Sequence, residues 1–238
     1  MKNNAKIFLK DLGLIDYKEA WKHQTKLHKQ LVTNKLSMTP NLIQHFILCE
    51  HPAVYTLGRS GSEDHLLLSQ NELSQKGYAY YKTNRGGDIT HHGPGQIVGY
   101  PILDLAYFKE DVGWYVRSLE EVIIRTLADY EIKAQRIEKF TGVWIEGQPM
   151  RKIAAIGVHM SRWVTLHGFA LNINNDISLF DHIIPCGIQD PNKSVTSLAT
   201  ELGKEIALKE VKKRLIHHFS TIFDVKITVL HQKTELND

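Results

Sequence analysis

Three apolar segments joined by very short connections limit what this chain can fold into. Residues 143–146, 152–160 and 164–173 are rich in the apolar and β-branched residues typical of strands. Parallel neighbours in a sheet need a crossover of a dozen or more residues, and the two connections here are much shorter. The three segments are therefore predicted to pair antiparallel in consecutive hairpins.

Helical periodicity outside these hairpins completes the predicted architecture. Apolar residues recur at helical spacing over residues 16–36, 112–130 and 208–223. Further strand-like segments lie at 43–49, 78–82 and 97–103. The pattern predicts an α+β fold, a mixed and largely antiparallel sheet with packed helices. The length of 238 residues, without repeat or linker, predicts a single domain over 1–238.

Composition excludes several classes of function. The formal net charge of +3 is only mildly basic and does not indicate a nucleic-acid-binding surface, which requires charge clustered on one face. No apolar run reaches the ~18 residues of a membrane span, and residues 1–10 lack a secretory signal. With only two cysteines, a disulfide framework is also unexpected. A cytoplasmic protein with no membrane or nucleic-acid partner is predicted.

The segment RGGDITHHGPGQ, residues 85–96, is predicted to bind a ligand. It combines four glycines with Arg85, His91 and His92. Glycine lets a backbone approach a ligand closely and leaves its amides available to line a pocket. The alternative is a long hairpin turn, which seldom needs so many glycines beside these side chains.

Lys152 opens a strand of small apolar residues. Period-two alternation predicts that it shares a face with Ala154, Ile156 and Val158, at the edge of an apolar pocket. A lysine in such a place is a candidate base or hydrogen-bond partner for a thiol. An equally acceptable interpretation is that the side chain reaches water from the end of a strand.

The two cysteines have different surroundings. Cys186 lies between Pro185 and Gly187, which predicts a position at a loop tip, where a thiolate can act as a nucleophile. A small buried residue is the alternative for this thiol. Cys49 lies within the apolar strand FILCE and is predicted to be such a buried residue.

A metal site is not expected despite the 13 histidines. The chain has no HExxH and no CxxC motif. His91 and His92 are adjacent, so in an extended strand they point to opposite faces.

An ordered set of motifs resembles a known family. The motifs are EHPAVYTLGR, RGGDITHHGPGQIVGYP, KIAAIGV, LHGFALNIN, and PCGI followed by VTSL. Together they resemble the octanoyl-acyl carrier protein: protein N-octanoyltransferases, also called lipoyl(octanoyl) transferases, over most of the chain.

The resemblance implies a fold similar to that of lipoate and biotin protein ligases, and a set of site residues. It implies a catalytic pair of Cys186 and Lys152, with His51 and His92 as supporting groups. Implied substrate-binding residues are Arg85, Gly86, Gly87, Asp88, Ile89, Thr90, His91, His92, Ala155, Ile156, Gly157, Gly168, Phe169 and Ala170. His91 and His159 depart from the family pattern, where Tyr and Arg are frequent.

The resemblance also implies the activity. An octanoyl group would pass from acyl carrier protein to Cys186 as a thioester. It would then pass to the lysine of lipoyl domains in 2-oxoacid dehydrogenases or of the glycine-cleavage carrier protein. No cofactor or metal is implied. Two alternatives stay open, an ATP-dependent lipoate or biotin ligase and a non-catalytic scaffold that binds the same carriers.

Overall fold

The fold class predicted from the sequence is confirmed. The structure is a computed structural model that describes residues 6–38, 42–184 and 192–230. The strands are β1 (Lys6–Leu14), β2 (Ile43–Glu50), β3 (Val54–Leu57), β4 (Ala79–Lys82), β5 (Thr90–His92), β6 (Gln96–Ile102), β7 (Ala134–Ile137), β8 (Phe140–Ile145), β9 (Met150–Ser161), β10 (Val164–Asn172), β11 (Lys193–Val195) and β12 (Lys226–Val229). The helices are α1 (Tyr17–Leu36), α2 (Gln70–Lys76), α3 (Val112–Ala128), α4 (Leu198–Leu202) and α5 (Leu208–Phe223).

Nine of the described strands form one mixed sheet. Its order is β12-β1-β2-β6-β10-β9-β8-β7, and β11 also pairs with β9. The run from β2 to β7 is antiparallel, as predicted for the two hairpins β8–β9 and β9–β10. Parallel pairing joins β12 to β1, β1 to β2 and β11 to β9.

Helices cover both faces of this sheet, and the three long ones begin within a residue of the predicted positions. Asp16 caps α1 by accepting hydrogen bonds from the amides of Lys18 and Glu19. Helices α3 and α5 pack on one face around Phe46, Leu119 and other buried residues, which we call the α3/α5 core. The opposite face packs against α1 through Ala20 and Leu31 and is called the α1 face.

A second, three-stranded sheet in the order β4-β3-β5 holds the glycine-rich segment against the α1 face. The Gly86 amide donates a hydrogen bond to the Val158 carbonyl of β9, with an N–O distance of 2.8 Å. Strands β3 and β5 were not predicted from the sequence. With four and three residues respectively, they are too short to show a clear alternation.

None of the helices in the described ranges is long and apolar enough to span a membrane.

Candidate functional site

A cavity with about 800 Å³ of empty space, partly open to solvent, lies on the α1 face. The main sheet forms its floor, and the segment after β4 forms its roof. Val98, Tyr100 and Ala170 contribute both to this cavity and to the packing against α1.

The floor consists of small residues at matching register positions of β9 and β10. Gly157 pairs with Gly168, and Ala155 pairs with Ala170. All six binding residues predicted on these strands line the cavity: Ala155, Ile156, Gly157, Gly168, Phe169 and Ala170. The floor stays open because side chains larger than methyl are absent at the paired positions.

The roof comes from the glycine-rich segment. Arg85, Gly87, Asp88, Ile89, Thr90 and His92 line the cavity. The other two predicted residues, Gly86 and His91, do not. A Cβ at Gly157 would lie only 2.8 Å from the Gly86 carbonyl oxygen, so the roof can approach the floor because Gly157 has no side chain.

Two charged side chains fix the roof in place. The Arg85 guanidinium donates hydrogen bonds to the Thr56 carbonyl and hydroxyl and to the Gly86 carbonyl. The Asp88 carboxylate accepts from His65 Nδ1 at 2.5 Å and from the Ile89 amide at 2.6 Å. The segment is therefore an ordered wall, and the hairpin-turn interpretation is insufficient.

Lys152 reaches the cavity because β9 contains a bulge. Val143 pairs with Ala154, but the next residue, Trp144, pairs with Lys152, so Ile153 is an extra residue in β9. The predicted face is therefore wrong in part. Lys152 shares the cavity with Ala155 and Gly157, whereas Ala154, Ile156 and Val158 pack with the α3/α5 core, and Ile156 also lines the cavity.

The Lys152 side chain is only 7% exposed, so the interpretation that it reaches water from a strand end is wrong. Its Nζ atom lies 4.7 Å from the centroid of the Trp144 ring, which favours a charged ammonium group through a cation–π interaction. The Lys152 carbonyl accepts a hydrogen bond from the Thr196 amide at 2.9 Å. Val195, one residue earlier, pairs with Lys152 and also lines the cavity.

Cys186 lies outside the described residues, within the range 185–191. The described residues on both sides of this range are anchored. The Ile184 amide donates to the His65 carbonyl at 2.8 Å, and the Met150 amide donates to the Asn192 carbonyl at 2.7 Å. Phe180, which precedes the range, and Val195, which follows it, both line the cavity.

Cys49 is a buried core residue, as predicted. It is 0% exposed, and burial raises the pKa of its thiol well above the ordinary value. Its Sγ lies 3.5 Å from His51 Nε2. A thiol held in its protonated form inside a sheet is a poor nucleophile.

His51 lies one layer behind the cavity wall. Its Nδ1 donates to the Ile15 carbonyl at 2.7 Å, and its Nε2 accepts from the Tyr100 hydroxyl at 2.8 Å. Burial lowers the pKa of His51 to about 4, so the ring is neutral near pH 7. His51 thus orients Tyr100, which lines the cavity.

His92 and His91 face opposite sides of β5, as predicted. His92 lines the cavity, and its Nδ1 donates to Gln96 Oε1 at 2.8 Å. The His91 ring packs against Tyr55 and Phe180, with centroid distances of 5.0 and 5.5 Å. Burial lowers the pKa of His91 to about 4. His91 therefore supports Phe180 from behind the cavity.

His159, the second departure from the family pattern, does not line the cavity. Burial, together with the nearby Arg59 charge, lowers its pKa below the ordinary value.

Several lining residues were not identified from the sequence. They are Tyr17, Gln96, Val98, Tyr100, His167, Asn172, Phe180 and Val195. Gln96, Tyr100, His167 and Asn172 stand inside the quoted motifs, so their positions carried a signal. Tyr17 carries only the apolar spacing of α1, and a single helix pattern does not show what lies against it.

Buried neutral histidines predict a loss of stability in mild acid. Burial lowers the pKa of His51 and His91 to about 4 and of His167 to about 3, and holds that of His92 well below its ordinary value. An unfolded histidine titrates near about 6.5. As pH falls from about 6.5 towards 4, the unfolded chain therefore binds more protons than the native state, and the native state loses stability.

The measurement is the free energy of unfolding in urea at pH 7.5, 6.0 and 5.0. Each such histidine contributes a slope of up to about 1.4 kcal/mol per pH unit. His91→Phe should reduce the slope of the unfolding free energy against pH by the contribution of one histidine. The control His217→Gln, at an exposed position of α5, should leave this slope unchanged. Equal slopes in all three proteins would contradict the prediction.

Comparison with known proteins identifies relatives of this chain. The lipoyl protein ligase A/B catalytic domain family matches residues 16–220. An octanoyltransferase of Cytophaga hutchinsonii is 50% identical, over 94% of this chain and 95% of the relative. An octanoyltransferase of Flavobacterium psychrophilum is 52% identical, over 94% of this chain and 99% of the relative.

Solved structures show the same fold at low identity. A bipartite lipoate protein ligase of Thermoplasma acidophilum superposes with a TM-score of 0.69 at 14% identity, covering 97% of this chain and 88% of that one. A lipoate-protein ligase A bound with ATP gives 0.68 at 13% identity, covering 97% and 90%. A biotin protein ligase of Aquifex aeolicus gives 0.51 at 16% identity, covering 92% and 70%. The predicted similarity to lipoate and biotin ligase folds is confirmed.

Proposed function

Because the chain belongs to the lipoyl protein ligase A/B catalytic domain family, we propose that it is an octanoyltransferase of protein lipoylation. In this proposal it moves an octanoyl group from acyl carrier protein to a lysine of a lipoyl domain. Relatives named octanoyltransferase match nearly the whole chain at about 50% identity. The observation that carries the proposal is the cavity, with Lys152 and both flanks of the Cys186 segment bordering it.

The cavity suits an acyl chain. Its floor is made of Ala155, Gly157, Gly168 and Ala170, and its walls include the apolar side chain of Val98. Burying a methylene group there contributes about 0.8 kcal/mol. Chain length therefore affects binding, since each methylene group that stays outside the cavity loses this contribution.

In the first half-reaction, the Cys186 thiolate attacks the thioester carbonyl of the acyl donor. The bond between the carbonyl carbon and the pantetheine sulfur breaks, the pantetheine thiolate leaves, and an octanoyl-Cys186 thioester forms. Lys152 supports this step because a buried ammonium group stabilises a nearby thiolate and supplies a proton to the leaving sulfur.

In the second half-reaction, the acceptor lysine amine attacks the Cys186 thioester. An amide bond forms, the Cys186 thiolate is released, and the attacking nitrogen loses a proton. Lys152, neutral after protonating the first leaving group, is the base that accepts this proton. One thioester replaces another in the first half and an amide replaces a thioester in the second, so no nucleotide is consumed.

The acceptors in this proposal are lipoyl domains of 2-oxoacid dehydrogenases and the glycine-cleavage carrier protein. The proposal places this reaction in the cytoplasm. Residues 1–238 act as one catalytic domain, consistent with relatives of similar length that match 94% of the chain.

Transfer to a lipoyl domain should proceed without nucleotide and in the presence of EDTA. Purified protein is mixed with octanoyl-acyl carrier protein and an apo lipoyl domain, and the mass of the lipoyl domain is measured over time. The expected result is complete octanoylation at the same rate with and without EDTA. A strict requirement for ATP and magnesium would move the chain to the ligase class. Binding of both carriers without any transfer would support the scaffold.

A further inference from the structure

His167, at the end of the cavity far from Lys152, has a ring nitrogen that octanoyl transfer does not use. His167 lies on β10, five residues before Asn172, so the two positions are about 16 Å apart along the strand. Asn172 marks the Lys152 end, since its Nδ2 donates to the Thr196 carbonyl and the Thr196 amide donates to the Lys152 carbonyl.

A local distortion of β10 turns His167 towards the cavity. Regular alternation would place it on the same face as Phe169 and Leu171, which belong to the α3/α5 core. The backbone of His167 has a φ of +60°, in the left-handed region, and its ring lines the cavity on the α1 face instead. Non-glycine residues in this region cluster at ligand sites, where the surrounding structure holds them.

The hydrogen bonds of the ring leave Nδ1 as an acceptor. His167 Nε2 donates to Asn84 Oδ1 at 2.7 Å, and the His167 amide donates to Gln24 Oε1 at 3.1 Å. Burial, with the Arg85 charge as a second cause, lowers the pKa of His167 to about 3, so the ring carries one proton. With that proton on Nε2, Nδ1 presents a lone pair.

This lone pair has no hydrogen-bond partner within the described residues. The His167 side chain is 1% exposed, and Nδ1 is among the buried side-chain atoms without a partner. A buried polar atom in this state requires a hydrogen-bond donor from a water molecule or from a ligand. Because a carboxylate has no proton to donate at neutral pH, the complementary ligand group is a hydroxyl or another neutral donor.

We infer that the far end of the cavity is a polar subsite, in which His167 Nδ1 accepts a hydrogen bond from a hydroxyl on the terminal carbon of the acyl group. The inference rests on the proposed acyl transfer for the position of the chain and extends its substrate class to ω-hydroxyacyl thioesters.

The test compares two donors of equal length, 8-hydroxyoctanoyl-acyl carrier protein and nonanoyl-acyl carrier protein. In an apolar pocket, an unpaired hydroxyl lowers kcat/KM by roughly tenfold or more relative to a methyl group. Here the two donors should react within about threefold of each other, because the hydroxyl is paired. The ratio of the two rates is the readout, so a general loss of activity cancels.

Two substitutions separate the hydrogen bond from the shape of the site. His167→Leu removes the acceptor and should lower the ratio of hydroxyoctanoyl to nonanoyl transfer by about tenfold. His167→Asn places an amide oxygen at the same distance from the backbone as Nδ1 and tolerates a positive φ, so it should retain the ratio. If His167→Leu does not fold, the wild-type ratio and the asparagine variant still decide the question.

Equilibrium binding gives a readout independent of the chemistry. Calorimetric titration with 8-hydroxyoctanoate and nonanoate should give dissociation constants within about threefold for the wild type, and a tenfold preference for nonanoate in His167→Leu. A wild-type preference for nonanoate of tenfold or more that does not change in His167→Leu would show that only water occupies the subsite and overturn the inference. Equal binding without any acyl transfer would instead reject the proposed function and leave the subsite intact.

Discussion

Replacement of Cys186 by alanine is expected to abolish octanoyl transfer, with a loss of roughly 10⁴-fold or more. The physical reason is that no other group of the proposed site can form the thioester. The other cysteine, Cys49, is 0% exposed, and burial raises the pKa of its thiol. Wild-type protein mixed with octanoyl-acyl carrier protein should gain one octanoyl mass, labile to hydroxylamine, at Cys186.

Cys49→Ala is the matched control, because it removes the only other thiol of the chain. This variant should still gain the octanoyl mass and should transfer it to a lipoyl domain. Circular dichroism and urea unfolding establish that both variants are folded. An adduct mapped to Cys49, or normal transfer by Cys186→Ala, would reject the nucleophile.

Replacement of Lys152 by methionine is expected to slow both half-reactions by roughly 10²- to 10⁴-fold. Methionine retains the apolar stem beside Trp144 and deletes the amine. Without the ammonium group, the Cys186 thiolate loses its stabilisation, and its alkylation by iodoacetamide should require a higher pH. Single-turnover acylation, deacylation and alkylation rates are measured against pH.

Lys152→Arg separates charge from proton transfer. Arginine keeps the positive charge but does not release its proton at ordinary pH. This variant should retain part of the alkylation rate and still transfer poorly to the acceptor amine. Lys193→Met is a control for loss of a nearby lysine, since the Lys193 ammonium lies 4.3 Å from the Phe140 ring centroid and does not line the cavity. Wild-type rates and an unchanged alkylation profile in Lys152→Met would reject its role.

The parts of the fold that could be predicted from sequence are those in which the apolar spacing or the connection length of a single segment determines its structure. The three long helices each show a full apolar stripe, and the hairpins β8–β9 and β9–β10 follow from connection length alone. Strand β1 was missed because Lys10 and Asp11 interrupt its alternation. Its place in the sheet depends on pairing with β2 and β12, and that pairing depends on distant parts of the chain.

The site was predictable where a residue type carries chemistry, and not where geometry decides. The glycine-rich roof and the small-residue floor were identified from motifs, and they do enclose one cavity. The face of Lys152 was wrong in part because a bulge depends on two strands. The His167 side chain faces the cavity because its backbone is in the left-handed region, and the sequence around His167 does not predict that conformation. The roles of Cys186 and Lys152 remain predictions that the variants above test.

The extra residue in β9 has a consequence for how this site tolerates changes in chain length. Since side chains alternate with a period of two, removal of Ile153 would restore regular pairing between β8 and β9. The deletion would leave Lys152 opposite Trp144 on the cavity face, whereas a regular strand that retained Ile153 would place the Lys152 amine in the α3/α5 core. The bulge at Ile153, which has no chemistry of its own, therefore determines on which side of the sheet the Lys152 ammonium group lies.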